Sequence, residues 1–73
     1  MSLNELKINK EGKITIVDAP KDIRRRLMDI GFNKGTKIEP LLNGKSMRAY
    51  KLKGSIIAIR KEDTSKIEVE IWK

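Results

Sequence analysis

The side chains with the clearest chemical potential are three consecutive arginines, Arg24, Arg25 and Arg26, in a chain whose net charge is +7. The planar guanidinium group donates hydrogen bonds in a fork that matches carboxylate and phosphate groups. The cluster therefore indicates binding of an acidic protein face or a phosphate. The one adjacent acidic pair, Glu62 and Asp63, falls where a solvated turn or a helix start is expected.

The sequence contains few side chains that could catalyse a reaction or bind a metal ion. It contains no histidine and no cysteine, which are common acid–base groups and nucleophiles. Ferrous iron prefers imidazole, thiolate and carboxylate ligands, and only scattered carboxylates are present on this basic chain. We therefore expect a protein that is not an enzyme, with no cofactor and no catalytic, cofactor-binding or tight metal-binding residues.

A short helix is predicted around the arginine cluster. Ile23, Leu27 and Ile30 recur at positions i, i+4 and i+7, which is the spacing of one helix face. Pro20 suits the first turn, because its missing N–H needs no partner there. Gly31 stands where a left-handed residue would end the helix.

The same helical spacing predicts which of the neighbouring side chains face outward. Arg24 and Arg25 point away from the apolar stripe, and Met28 lies on the outer side, so these three are predicted to contact a partner. Arg26 lies at the flank, where its stem is expected to cover the core and its head to pair with a local carboxylate. Phe32, just after the helix, is expected to pack back into the core.

The rest of the chain alternates as five short strands do. Pro40 cannot donate to a strand ladder and predicts a bend, and Asn43-Gly44 is a strong hairpin signal. With the single helix between the first two strands, the pattern predicts an all-β fold, a small five-stranded barrel. Alternating apolar residues mark these strands: Ile14 and Ile16 share one face of the first, Ile38 and Leu42 share one face of the second, Tyr50 and Leu52 mark the third, Ile57 and Ile59 mark the fourth, and Ile67, Val69 and Ile71 mark the fifth.

The hairpin beyond Asn43-Gly44 is short, polar and basic. Its side chains Lys45, Met47 and Arg48 are predicted to join the helix in contacting a partner. Methionine suits such a surface because its unbranched side chain adapts to irregular shapes.

Three segments of the chain resemble the FeoA family of ferrous-iron transport accessory proteins. They are Arg25 to Ile38, matching R-R-L-x-x-(L/I)-G-(hydrophobic)-x-x-G-(T/S)-x-(I/V); Gly54 to Arg60, matching G-x-x-(I/L)-A-(L/I)-R; and Ile67 to Val69, matching I-x-V. The resemblance covers the chain from about Leu3 to Val69. It implies one SH3-like domain over residues 1–73, in which Arg26 matches the most characteristic arginine of the family.

The resemblance also implies a function. Family members assist a FeoB-type membrane iron transporter at its cytoplasmic side, so a cytoplasmic protein is expected here. No apolar run approaches the ~20 residues needed to span a bilayer. The hairpin from Leu42 to Met47 departs from the family, where this segment is often longer and more hydrophobic. The contact chemistry of this hairpin is therefore expected to differ.

Other interpretations remain beside this one. The net charge suits a small basic barrel that binds nucleic acid, although three scattered aromatic residues are few for stacking bases. Recognition of a proline-rich peptide would need a groove lined by aromatic side chains. A third alternative is the SH3-like module of a metal-dependent repressor, which follows a DNA-binding domain in those proteins, whereas a stand-alone protein is expected here. Exposed edge strands leave weak self-association open.

Overall fold

The strands and helices follow the predicted order. The computed structural model describes residues 1–72. Its elements are a 3₁₀ turn at Leu3–Glu5, β1 at Gly12–Val17, α1 at Lys21–Ile30, β2 at Lys37–Asn43, β3 at Met47–Leu52, β4 at Ser55–Arg60, α2 at Lys61–Thr64 and β5 at Ile67–Ile71. The five strands form one antiparallel sheet in the order β4-β3-β2-β1-β5. The predicted all-β architecture, with α1 between β1 and β2, is confirmed.

Helix α1 begins and ends where the sequence predicts. Pro20 occupies its N-cap and Gly31 its C-cap, with a φ of 126° at the glycine. The Gly31 N–H donates to the carbonyl oxygens of Leu27 and Met28, at 3.2 and 3.1 Å. Phe32 beyond the glycine is fully buried, as predicted, whereas Ile30 is 43% exposed. The prediction that Ile30 faces the core is wrong, because the chain turns at Gly31 and Phe32 takes the inward position.

Two irregularities in the strands turn apolar side chains outward. The register shifts between Ile14 and Ile16 in the pairing of β1 with β5, and between Pro40 and Leu42 in the pairing of β2 with β3. One extra residue in a strand moves the following side chains to the opposite face. Ile16 and Leu42 are therefore 57% and 65% exposed. Ile14 and Ile38 are buried, so the predictions that Ile16 shares the face of Ile14 and that Leu42 shares the face of Ile38 are wrong. The bend expected near Pro40 agrees with the register shift there.

The core lies between the inner face of the sheet, α1 and the N-terminal 3₁₀ turn. Phe32 and Tyr50 meet edge to face, with ring centroids 6.5 Å apart. Ile71 continues the alternation of the buried Ile67 and Val69 but is 48% exposed, because it lies at the end of β5 opposite Gly12. The buried apolar residues are Leu3, Leu6, Ile14, Leu27, Phe32, Ile38, Tyr50, Leu52, Ile59, Ile67 and Val69.

No helix within residues 1–72 is both long enough and apolar enough to cross a bilayer.

Candidate protein-docking surface

The outer face of α1 brings three of the predicted contact residues together. Arg24, Arg25 and Met28 line one shallow surface hollow with Lys21 and Asp29. Arg24 and Met28 are four residues apart, which places their side chains side by side on a helix. Both arginines are exposed, and Met28 is 46% exposed.

The arginines of this face have no acidic partner within the described chain. No carboxylate oxygen of residues 1–72 lies within 4.0 Å of a guanidinium nitrogen of Arg24, Arg25 or Arg26. The expected local pairing of Arg26 is therefore wrong, and this exposed side chain is satisfied by solvent. Unpaired arginine on an exposed helix face leaves forked donors free for an external carboxylate or phosphate.

The hairpin contributes a second, separate hollow. Lys45 and Met47 line it, together with Ser46, Arg60, Lys61 and Glu62. Met47 is 41% exposed and lies opposite Arg60 in the register of β3 and β4. Arg60 donates to Glu62 and Asp63 at 3.1 and 3.2 Å, so its charge is already paired. The side chains of this hollow that could contact a partner are therefore an accessible methionine and the neighbouring lysines.

Arg48 does not belong to either surface. It is only 3% exposed, so the prediction that it contacts a partner is corrected. Its Nη1 donates to the carbonyl oxygens of Leu3 and Asn4 at 3.1 and 2.8 Å, and its Nη2 donates to that of Leu6 at 2.9 Å. Nη1 also lies 3.2 Å from the hydroxyl of Tyr50. The side chain ties the N-terminal turn to the sheet.

The alternation of β3 contains the signal that identifies Arg48 as internal. Tyr50 and Leu52, which mark β3 in the sequence, share one face, and a period of two extends that face back to Arg48. The cost of burying this cation is offset by the three backbone carbonyl groups of the N-terminal turn that accept its hydrogen bonds. The guanidinium carbon also lies 5.4 Å from the centroid of the Tyr50 ring. Among residues 1–72, no hydrogen-bond partner lies within reach of Arg48 Nε.

Two shifted pKa values belong to this N-terminal anchor. Burial raises the pKa of Tyr50 above its ordinary value, although the charge of Arg48 acts in the opposite direction. The backbone N–H of Ser2 donates to the carboxylate of Glu5 at 3.0 Å and lowers the pKa of Glu5. These pKa shifts bear on the stability of the fold and not on partner binding, since neither Tyr50 nor Glu5 lines either of the two hollows.

The donor chemistry does not fit a resident ferrous ion. The sequence has no histidine or cysteine, and no group of three or more aspartates and glutamates within residues 1–72 is arranged to hold a metal ion.

An antiparallel five-stranded sheet with one helix between its first two strands defines the class: a small SH3-like β domain. The sequence model of the FeoA domain matches residues 1–71. The chain belongs to the FeoA family, whose members are associated with ferrous-iron uptake. No curated protein sequence matches it.

Solved structures agree with this assignment. The FeoA protein from Chlorobium tepidum is 32% identical with a TM-score of 0.90, and the match covers 100% of this chain and 71% of that chain. FeoA from Stenotrophomonas maltophilia, described as a procaryotic SH3 domain protein complexed with zinc, is 22% identical with a TM-score of 0.82, covering 96% and 89%. A manganese-dependent transcriptional repressor shares the fold at 16% identity and a TM-score of 0.91, covering 99% of this chain and 36% of the repressor.

Proposed function

We propose that this protein is a non-enzymatic, cytoplasmic accessory of ferrous-iron uptake that docks on a FeoB-type membrane iron transporter and regulates it. Membership of the FeoA family supports the link to iron uptake. The docking itself and the identity of the transporter are the proposal. Iron is the cargo of the transporter in this account and is not held by the accessory protein.

The observation that carries the proposal is the unpaired basic face of α1. Arg24 and Arg25 are exposed and lack a carboxylate partner among residues 1–72. An acidic face of the transporter would supply the missing carboxylates, and complementary charge gives fast and selective association. Met28 between them would fill an apolar depression in the partner.

The hairpin extends the proposed surface. Lys45 and Met47 repeat the combination of a basic group and an accessible methionine. A protein that binds one conformation of the transporter more tightly than another shifts the transporter toward the favoured conformation. Regulation then needs no chemical step in the accessory protein.

Nucleic-acid binding is the weaker alternative. Single-strand binding uses several aromatic side chains as stacking platforms on one surface. Phe32 and Tyr50 are fully buried, which leaves Trp72, 41% exposed, as the one accessible aromatic residue. The positive charge alone would support only non-specific, salt-sensitive association with phosphates.

The proposal is tested by recovering partners of the tagged protein from membranes of its native host over a series of salt concentrations. We expect a FeoB-type transporter, identified by mass spectrometry, to remain bound at moderate salt. Recovery of nucleic acid alone, released as salt rises, would instead support the alternative.

A further inference from the structure

The two edge strands of the sheet are protected very differently. At the β5 edge, Ser2 bridges Glu68, and the Val69 N–H donates to the Met1 carbonyl oxygen at 2.8 Å. The N-terminal residues therefore cover part of that edge. At the other edge, β4 pairs with β3 and with no other strand of the described chain.

The register of the β3–β4 hairpin identifies which backbone groups of β4 are free. Its loop has two residues, Lys53 and Gly54, with φ values of 51° and 77°, as in a type I′ turn. Leu52 and Ser55 then close the hairpin as a hydrogen-bonded pair, and such pairs recur at every second position. Ile56 and Ala58 consequently direct their N–H and C=O groups away from β3. No hydrogen bond from residues 1–72 reaches these four groups.

The outer face of the same strand is apolar. Ile56 is 71% exposed and Ala58 is also exposed. In register, Ala58 lies opposite Ala49, which lies opposite the exposed Leu42 on β2. Natural edge strands are usually protected by lysine, proline or a bulge. From Ser55 to Ile59, β4 has none of these devices.

Lysines bracket this open edge at both ends. Lys51 and Lys53 lie near the start of β4, and Lys45 and Lys61 lie near its end. No carboxylate of residues 1–72 lies within 4.0 Å of any of these four ammonium groups. The edge therefore combines free backbone groups and an apolar centre with a positive charge at each end.

We propose that the free edge of β4 is a second interaction surface, which takes an extended segment of another protein as an added antiparallel strand. The segment would carry apolar side chains at alternate positions and an acidic residue near each end. Main-chain hydrogen bonds to Ile56 and Ala58 provide affinity in this mode of recognition, and the alternate side chains provide selectivity. The proposal goes beyond transporter docking and does not depend on it.

Charge complementarity favours an acidic partner over a second copy of this chain. Antiparallel pairing of two β4 strands centred on Ile57 would bring the Lys53 end of one copy against the Lys61 end of the other. Like charges placed opposite each other destabilise a strand pair, and each copy carries a net charge of +7.

The test uses a defined probe, the capped peptide acetyl-Glu-Thr-Val-Thr-Val-Thr-Glu-amide, titrated into the isotope-labelled protein and followed by nuclear magnetic resonance. We expect saturable shifts centred on the amides of Ile56 and Ala58. A peptide with the outer glutamates replaced by lysine should bind about tenfold more weakly at low salt, since like charge replaces attraction. Methylating the backbone nitrogens on the bonding edge of the peptide should weaken binding by about fivefold to tenfold, because it removes donors and keeps the side chains.

Two protein variants locate the surface. Ile56→Lys adds the usual protection of an edge strand, and Ala58→Pro removes a free N–H without breaking a ladder hydrogen bond, a change that an edge strand tolerates. Each is expected to weaken peptide binding about tenfold. Ile16→Lys is the matched control, because Ile16 is also an exposed isoleucine but lies on β1, and it should bind as the parent does.

The proposal is overturned if the glutamate peptide produces no saturable shifts, or if the methylated peptide binds as tightly as its parent. Equal binding by the lysine peptide would overturn the assignment to an acidic segment. Self-association in sedimentation experiments that Ile56→Lys abolishes and Ile16→Lys preserves would assign the edge to a second copy, and would likewise contradict the proposal.

Discussion

The Nη2 atom of Arg48 lies 2.9 Å from the carbonyl oxygen of Leu6, a residue 42 positions earlier in the chain. The contact joins β3 to the N-terminal turn, whose Leu3 and Leu6 are buried in the core. Arg48, a basic residue of a type usually found on the surface, therefore lies inside the fold and anchors the N-terminal turn to the sheet.

Replacing Arg48 should destabilise the protein strongly. Arg48→Met fills similar space but leaves the buried carbonyl oxygen of Leu6 without its donor and removes the guanidinium donor from that of Leu3. We expect a loss of about 3 kcal/mol in the free energy of unfolding, measured by urea denaturation. The control Lys51→Met, at an exposed site of the same strand, should change the free energy by less than about 0.5 kcal/mol. Equal losses from both variants would show that the anchor contributes nothing specific.

The raised pKa of Tyr50 predicts a stability that declines in alkali. The folded state holds the neutral phenol, whereas the unfolded chain releases its proton near the ordinary value of 10.0. The stabilisation is complete below that pH and is lost as the pH rises through the folded-state pKa. Unfolding free energies should therefore fall as the pH rises above about 10, with the ionisation of Tyr50 contributing to the decline.

The control for this pH dependence is Tyr50→Phe. It should be less stable near pH 7 by about 1 kcal/mol, because the hydroxyl bonds of Tyr50 are lost. Its stability should also decline less steeply above pH 10 than that of the parent, because the variant lacks the hydroxyl that ionises there. Parallel pH profiles would contradict the assignment to Tyr50.

The end of α1 provides a third prediction. Gly31 has a φ of 126°, and a Cβ added there would lie 3.4 Å from Leu52 Cδ1, an ordinary contact. Gly31→Ala should therefore cost about 1–2 kcal/mol through backbone strain rather than crowding. Arg25→Ala, on the exposed face of the same helix, should stay within about 0.5 kcal/mol of the parent. An unchanged urea midpoint for Gly31→Ala would show that the backbone relaxes without strain.

The sequence was sufficient for the architecture because its turn signals are local. Pro20 and Gly31 limit α1, and Asn43-Gly44 and Lys53-Gly54 fall at the ends of strands. Gly31 and Gly54 have positive φ values, which glycine adopts without steric cost. The order of strands followed from these boundaries.

The faces of the strands were less predictable. A period of two assigns Ile14 and Ile16 to one side, but a register shift separates them. Such irregularities depend on pairing with a distant strand, which the local pattern does not contain. Leu42 was misassigned for the same reason.

The candidate surface was predicted in part. The helical period placed Arg24, Arg25 and Met28 outward, and the structure brings them into one hollow. Arg48 was misplaced because its partners are backbone carbonyls of residues 3, 4 and 6, which carry no sequence signature. Whether the exposed residues contact a transporter stays a prediction.

The most direct test of docking compares two double variants of equal net charge in binding to the purified FeoB-type transporter of the same host. Arg24→Glu/Arg25→Glu reverses the face beside Met28, and Lys7→Glu/Lys10→Glu reverses two exposed lysines of the N-terminal segment. We predict that the arginine variant binds at least about tenfold more weakly than the parent, while the lysine variant stays within about threefold. Equal affinities for the parent and the arginine variant, or equal weakening of both variants, would contradict docking through α1.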